Sequence, residues 1–174
     1  MLPSSTLLDA ILEHDPAWPP GWIRDAGDRL PARSRTDRKT TGHLYGADGK
    51  PLNSVEDKLT MSDGRLRSGE VDVARSGIRP DWYPTAQVTR EHVEAHAAAI
   101  LRRPRSPNEA VVVVNKETCT SRLDYVGCDE VLPGLLPRGK RLAVYVKEGG
   151  STTLFKVYRG TGEGIADVGG VEGR

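Results

Sequence analysis

The chain has 174 residues, enough for one domain whose core needs no disulfide staples, and its 37% hydrophobic and 28% charged content is globular rather than disordered. Lys plus Arg number 25 against 24 Asp plus Glu, so net charge makes no global case for nucleic acid and any such case must be local. No run reaches the length of an apolar membrane span, and the start at Met1 lacks the basic and apolar regions of a secretory signal.

Leu7, Leu8, Ile11 and Leu12 recur at helical spacing behind the N-cap candidates Ser4 and Ser5, which predicts a short amphipathic helix. Pro16, Pro19 and Pro20 stop it. The following stretch to about Arg38, with Trp18 and Trp22 as isolated apolar anchors, reads as a lead-in draped over the domain. A strand begins at Thr40-Thr41-Gly42-His43-Leu44-Tyr45, and Asp48-Gly49 supplies the turn of a hairpin returning through Leu52 to Val55. Residues 56–80 are weakly patterned. Pro80-Asp81-Trp82-Tyr83-Pro84 reads as a stiff aromatic loop.

A helix is then predicted from Thr89, as N-cap, to Arg103, ended by Pro104. Val111 to Val114 are four β-branched residues in a row, the mark of a strand buried on both faces. Asp129 to Leu136 can form a short helix, and Arg141 to Val146 and Thr153 to Tyr158 are two strands that Gly149-Gly150 joins as an antiparallel hairpin. After Gly160 the chain is Gly-rich and reads as a flexible tail. The order predicts an α/β three-layer sandwich around a mixed five-stranded sheet. Its parts are a lead-in over residues 1–37, a catalytic domain over 38–160 and a tail over 161–174.

His92, Glu94, Cys119 and Cys128 carry the chemistry. His92 and Glu94 are two residues apart, roughly 200° around a helix, so they converge only off its N-terminus. Cys128, after Gly127, also starts a helix, and two helix N-termini facing one point favour thiolate over thiol. His92, Cys119 and Cys128 would bind one zinc ion and leave its fourth position open for water, with Glu94 unligated as proton shuttle. A rival uses His96, which lies at i+4 from His92. With both cysteines it would complete a closed Cys2His2 structural site, and a buried pair of free thiols is the plainest reading of all.

The blocks around these residues resemble a known family. Thr40 to Tyr45, the Asp48-Gly49 hairpin, His92-Val93-Glu94-Ala95-His96-Ala97-Ala98 and Gly127-Cys128-Asp129-Glu130-Val131-Leu132-Pro133 with Leu135-Leu136-Pro137-Arg138-Gly139 look like bacterial polymorphic-toxin cytosine deaminases. These include the DddA-like double-stranded DNA cytosine deaminases and their single-strand-acting relatives. The match runs from about Arg38 to Tyr158. It implies a cytidine deaminase-like fold, zinc on His92, Cys119 and Cys128, and Glu94 as catalytic proton shuttle. It also implies that Asn115, Trp82, Tyr83 and Tyr45 face the substrate, against which stand a turn-forming role for Asn115 and a packing role for Trp82.

Two departures from the usual Pro-Cys-x-x-Cys pattern stand out: Thr118 precedes the first cysteine, and residues 120–127 separate the pair. His96 falls where the pattern has no functional residue and reads as a surface histidine. The implied activity is deamination of cytosine to uracil in DNA, with single strands favoured because extruding a paired base costs a few kcal/mol. RNA, a free nucleoside, or no catalysis at all are the alternatives. The implied setting is the toxin domain of a delivered effector, acting as a monomer in the target-cell cytoplasm, with a cognate immunity protein and no membrane partner. Arg102, Arg103 and Arg105, Arg138, Lys140 and Arg141, and Arg33, Arg35, Arg38 and Lys39 are basic clusters that read as solvated faces or as phosphate contacts.

Overall fold

The valine run forms the centre of the molecule. In the computed structural model, which describes residues 6–13, 19–33, 40–52, 59–60, 75–90, 92–118 and 126–166, Glu109–Val114 forms a strand whose last five residues are all buried. It pairs antiparallel with β1 (Thr41–Gly46) on one side and parallel with β4 (Arg141–Glu148) on the other, and is β3 of the sheet. β5 (Ser151–Arg159) returns antiparallel to β4 across the Gly149-Gly150 turn, as its length dictates. The sheet order is β2-β1-β3-β4-β5.

Four of these strands have six residues or more; β2 is only the pair Leu59–Thr60 against Gly42 and Thr41. The returning strand expected over Leu52 to Val55 falls mostly outside the described residues, and the fifth position of the sheet is held by this edge fragment. The turn at Asp48-Gly49 forms as expected, with Gly49 at φ +79°. Past it, Gly46 N–H donates to Lys50 O at 2.9 Å, Pro51 bridges Tyr45 and Leu52 N–H donates to Leu44 O at 2.8 Å; residues 53–58 lie outside the described set.

Helices cover both faces, which is why the central valines do not alternate with polar residues. On one face α1 (Leu7–Glu13) and α2 (Gly21–Asp28) pack Leu8, Ile11, Ile23 and Ala26 onto Tyr45, Val111, Val113 and Tyr145. On the other, α4 (Val93–Leu101) and α5 (Cys128–Leu135) pack onto Leu44, Val112, Val114 and Val144. The three-layer α/β arrangement follows.

Three local expectations need correction. The lead-in is not merely draped: Gly21–Asp28 is helical, with Pro20 as its N-cap, extended at φ −48° and ψ 146°. Gly27 lets this helix lie directly on Thr152 of β5, where a Cβ has no room. The aromatic segment is not a loop either. Pro80–Trp82 makes a 3₁₀ turn that runs into α3 (Tyr83–Thr89), so Thr89 ends one helix instead of capping the next.

The third correction concerns residues 161–166, read as tail. Thr161, Gly162 and Gly164 donate backbone N–H groups to the carbonyls of Pro133, Leu136 and Gly134, near the end of α5, and Ile165 bridges Ile78. Carbonyls that a helix leaves unpaired at its C-terminus are thereby satisfied. Trp82 is wedged between Gly134 and Gly164, each too close to its ring to carry a Cβ. The packing role of Trp82 is the one the structure displays.

Candidate metal centre and active site

His92 is the N-cap of α4, in extended conformation at φ −90° and ψ 141°, and Glu94 sits in the first turn. Gly127 is the N-cap of α5, which makes Cys128 its first residue. Both helices start at the carboxyl end of the parallel pair β3–β4, so their unpaired N–H groups and positive dipole ends point at the same region. The convergence off helix ends that the His92–Glu94 spacing required is what the fold provides.

One ligand atom from each of His92, Glu94 and Cys128 lies within 4.8 Å of the others, a grouping that can hold a metal ion. Cys128 Sγ and His92 Nδ1 are 2.9 Å apart. An imidazole and a thiol suit zinc, and thiolate is the form that the helix ends and a metal both favour. Glu94 is only 3% exposed, an expensive place for a carboxylate without partners. The Thr118 hydroxyl donates to its Oε1 at 2.6 Å, within the range of a charge-assisted bond. Cys119, the next residue after Thr118, lies outside the described residues, as do 120–125 of the inserted segment.

A second layer stands behind this group. The Tyr158 hydroxyl and the Lys156 ammonium both donate to Asp129 Oδ1, at 2.9 and 2.7 Å. Lys156 first, then Tyr158, hold the Asp129 carboxyl below its usual range. Burial, followed by the hydrogen bond to Asp129, pushes the Tyr158 hydroxyl well above the ordinary phenol range. Thr118, Tyr158 and Asp129 were not singled out from sequence. Thr118 was noted only for standing where a Pro is usual, and Tyr158 only as a strand end.

Other expectations fare differently. His96 is not on the surface: it is 1% exposed, and its Nε2 meets the Arg90 carbonyl at 3.0 Å, so it is not among the converging ligand atoms. The closed Cys2His2 arrangement is therefore not what the described residues form. Tyr45 lies on the opposite face of the sheet, buried against Trp22 with ring centroids 5.6 Å apart, because strand alternation puts it with Val111 and Val113.

Asn115 is spent on the fold. Its Oδ1 accepts from Thr41 N at 2.8 Å and its Nδ2 donates to Pro31 O at 3.2 Å. It also lines a groove of about 660 Å³ with Arg33 and Lys147 at the carboxyl ends of β3 and β4. Tyr83 is half-buried against the core, with the Arg75 guanidinium 5.4 Å over its ring.

The basic clusters also resolve. Arg102 donates to Ser76 O at 2.9 Å and Leu135 O at 3.1 Å, and burial brings its pKa down to about 10. Lys140 Nζ donates to three oxygens of Ser106 and Pro107, and Arg141 pairs with Asp9 and Glu109. These three serve the fold. Arg103, Arg105 and Arg138 remain exposed, while Arg35, Arg38 and Lys39 lie outside the described residues. No helix among the described residues is long and apolar enough to cross a membrane.

A family model described as SCP1.201-like deaminase matches residues 16–163, further at both ends than the resemblance over Arg38 to Tyr158 and including α2. No curated protein and no solved structure matches the chain significantly.

Proposed function

Since the chain belongs to the SCP1.201-like deaminase family, we propose that it is a zinc-dependent hydrolytic deaminase converting cytosine to uracil in DNA. The observation that carries this reading is a buried carboxylate, Glu94, converging with the imidazole of His92 and the thiol of Cys128 at two helix N-termini. His92, Cys128 and Cys119 are the residues that would hold the metal. When bound, zinc supplies the Lewis acidity that brings a water molecule's pKa towards neutrality.

The chain's own residues do the rest. His92 presents Nδ1 and Cys128 its Sγ to the same point, 2.9 Å apart, where the positive end of α5 favours thiolate. Glu94, left out of the ligand set, takes a proton from the attacking water and passes it to N3 of the pyrimidine. The water's second proton goes to the exocyclic amine, which departs from C4 as ammonia and leaves uracil.

DNA is preferred over RNA through the resemblance to polymorphic-toxin deaminases, and a single strand over a duplex through the extrusion cost. Arg33, exposed at the groove beside Asn115, supports contact with a strand backbone. The same resemblance supports a monomeric toxin domain of a delivered bacterial effector, acting in the target-cell cytoplasm and silenced by an immunity protein. The test is uracil formation in matched single-stranded DNA, duplex DNA and RNA oligonucleotides, with Glu94→Gln alongside. Loss of at least about 10³-fold in the variant, with zinc retained, is the expected result. Equal rates in wild type and variant would sink the mechanism, and product only from RNA would move the substrate.

A further inference from the structure

Glu94 Oε1 is held by a hydroxyl that the deaminase chemistry itself does not require. Thr118 is 4% exposed, so its hydroxyl has little water to bond to, and its 2.6 Å contact to Glu94 is made in a dry environment where such a bond is strong. A β-branched side chain in a packed site has a restricted χ1, which makes the donor pre-aimed. Tyr158, on β5, is 1% exposed. Its own proton goes to Asp129, which Lys156 holds from the solvent side.

We propose that Thr118 is a positioning residue for the deamination: its hydroxyl fixes the orientation of the Glu94 carboxylate through Oε1. The proposal rests on the deaminase reading of Glu94. A carboxylate with one oxygen tied cannot rotate freely, so the orientation needed for proton transfer is present before the base arrives. Thr118 stands immediately before Cys119, so the segment expected to bring a ligand to the metal also sets the proton shuttle.

The experiment compares wild type, Thr118→Val, Thr118→Ser and Thr118→Ala on a cytosine oligonucleotide. Zinc content and circular dichroism are measured for each protein. Thr118→Val should lower kcat about 100-fold with KM little changed, and Thr118→Ser, which keeps the hydroxyl, should restore most of it. An oligonucleotide carrying 2-pyrimidinone, whose hydrate mimics the tetrahedral adduct at C4, should bind Thr118→Val more weakly by about the same factor while cytosine binding stays constant.

Wild-type kcat in Thr118→Val, equal impairment in Thr118→Ser, or equal weakening of both oligonucleotides overturns the positioning role and leaves the deaminase reading standing. Should Thr118→Val fail to fold, Thr118→Ala decides. A drop of about 10-fold in kcat at constant KM supports the role and an unchanged kcat overturns it. A wild-type protein that forms no uracil on any substrate overturns both readings.

Discussion

The two ends of the parallel pair β3–β4 use charge in opposite ways. At the amino end Arg141 is locked between Asp9 and Glu109, Lys140 is caged by the oxygens of Ser106 and Pro107, and Arg102 caps Ser76 and Leu135 carbonyls. Nearly every donor there is spent on the chain. At the carboxyl end His92, Glu94 and Cys128 bring reactive groups from separate elements to within 4.8 Å, and the hydrogen bonds around them orient them without closing the group. Neighbours in sequence thus turn out to be structural cations, while the reactive set is assembled across a sequence span that only the fold brings together.

That contrast predicts how substitutions should divide. Cys128→Ser, at the reactive end, should have the largest effect: metal analysis should show zinc falling from one per chain towards none, with deamination down at least about 10³-fold. Full metal retention would shift the ligand set away from Cys128. His96→Ala, one helical turn from His92 but turned into the core, should lower unfolding free energy by about 3 kcal/mol through lost packing and an unpaired Arg90 carbonyl. Zinc should nevertheless stay bound in urea-free samples. Loss of the metal with the fold intact would revive the Cys2His2 alternative.

Arg102→Met, at the far end, should cost about 2 kcal/mol in urea unfolding by stranding the Ser76 and Leu135 carbonyls, with activity per folded molecule unchanged. A changed salt dependence of DNA binding in this variant would return Arg102 to the phosphate contacts. Asp9→Asn should have the smallest effect, and a pH-dependent one. The hydrogen bond from Arg141, then those from Thr6, hold the Asp9 carboxyl well below its ordinary 3.8. Its contribution is complete above that unfolded-state value and disappears as pH falls through the lower folded-state value. Thermal midpoints of wild type and variant should differ near neutrality and converge in strong acid; a gap that persists there would detach the effect from ionisation.

Much of the frame was legible because its signals are local. Four consecutive valines specify a two-faced strand, Gly149-Gly150 specifies a tight antiparallel return, and the His92–Glu94 spacing demands a helix end. What escaped depended on register or distance. Tyr45 and Leu44 point to opposite faces, and only pairing with β3 says which face holds the site. Thr118 and Tyr158 are forty residues apart, with no pattern linking them. The prolines before α2 were read only as stops and Pro84 only as part of a stiff loop, although proline at a first turn also starts helices. One signal was available and unused: Ala95 and the run Ala97 to Leu101 make α4 apolar nearly all round, which implies burial of His96 along with its neighbours.

The stitching of Thr161 to Ile165 along α5 bears on how the chain can be dissected. A cut after Arg159 would remove no strand, yet it would leave the carbonyls of Pro133, Gly134 and Leu136 bare and strip one wall from Trp82. The practical boundary for fusing, splitting or minimising this domain therefore falls beyond Ala166, seven residues past the last strand of the sheet.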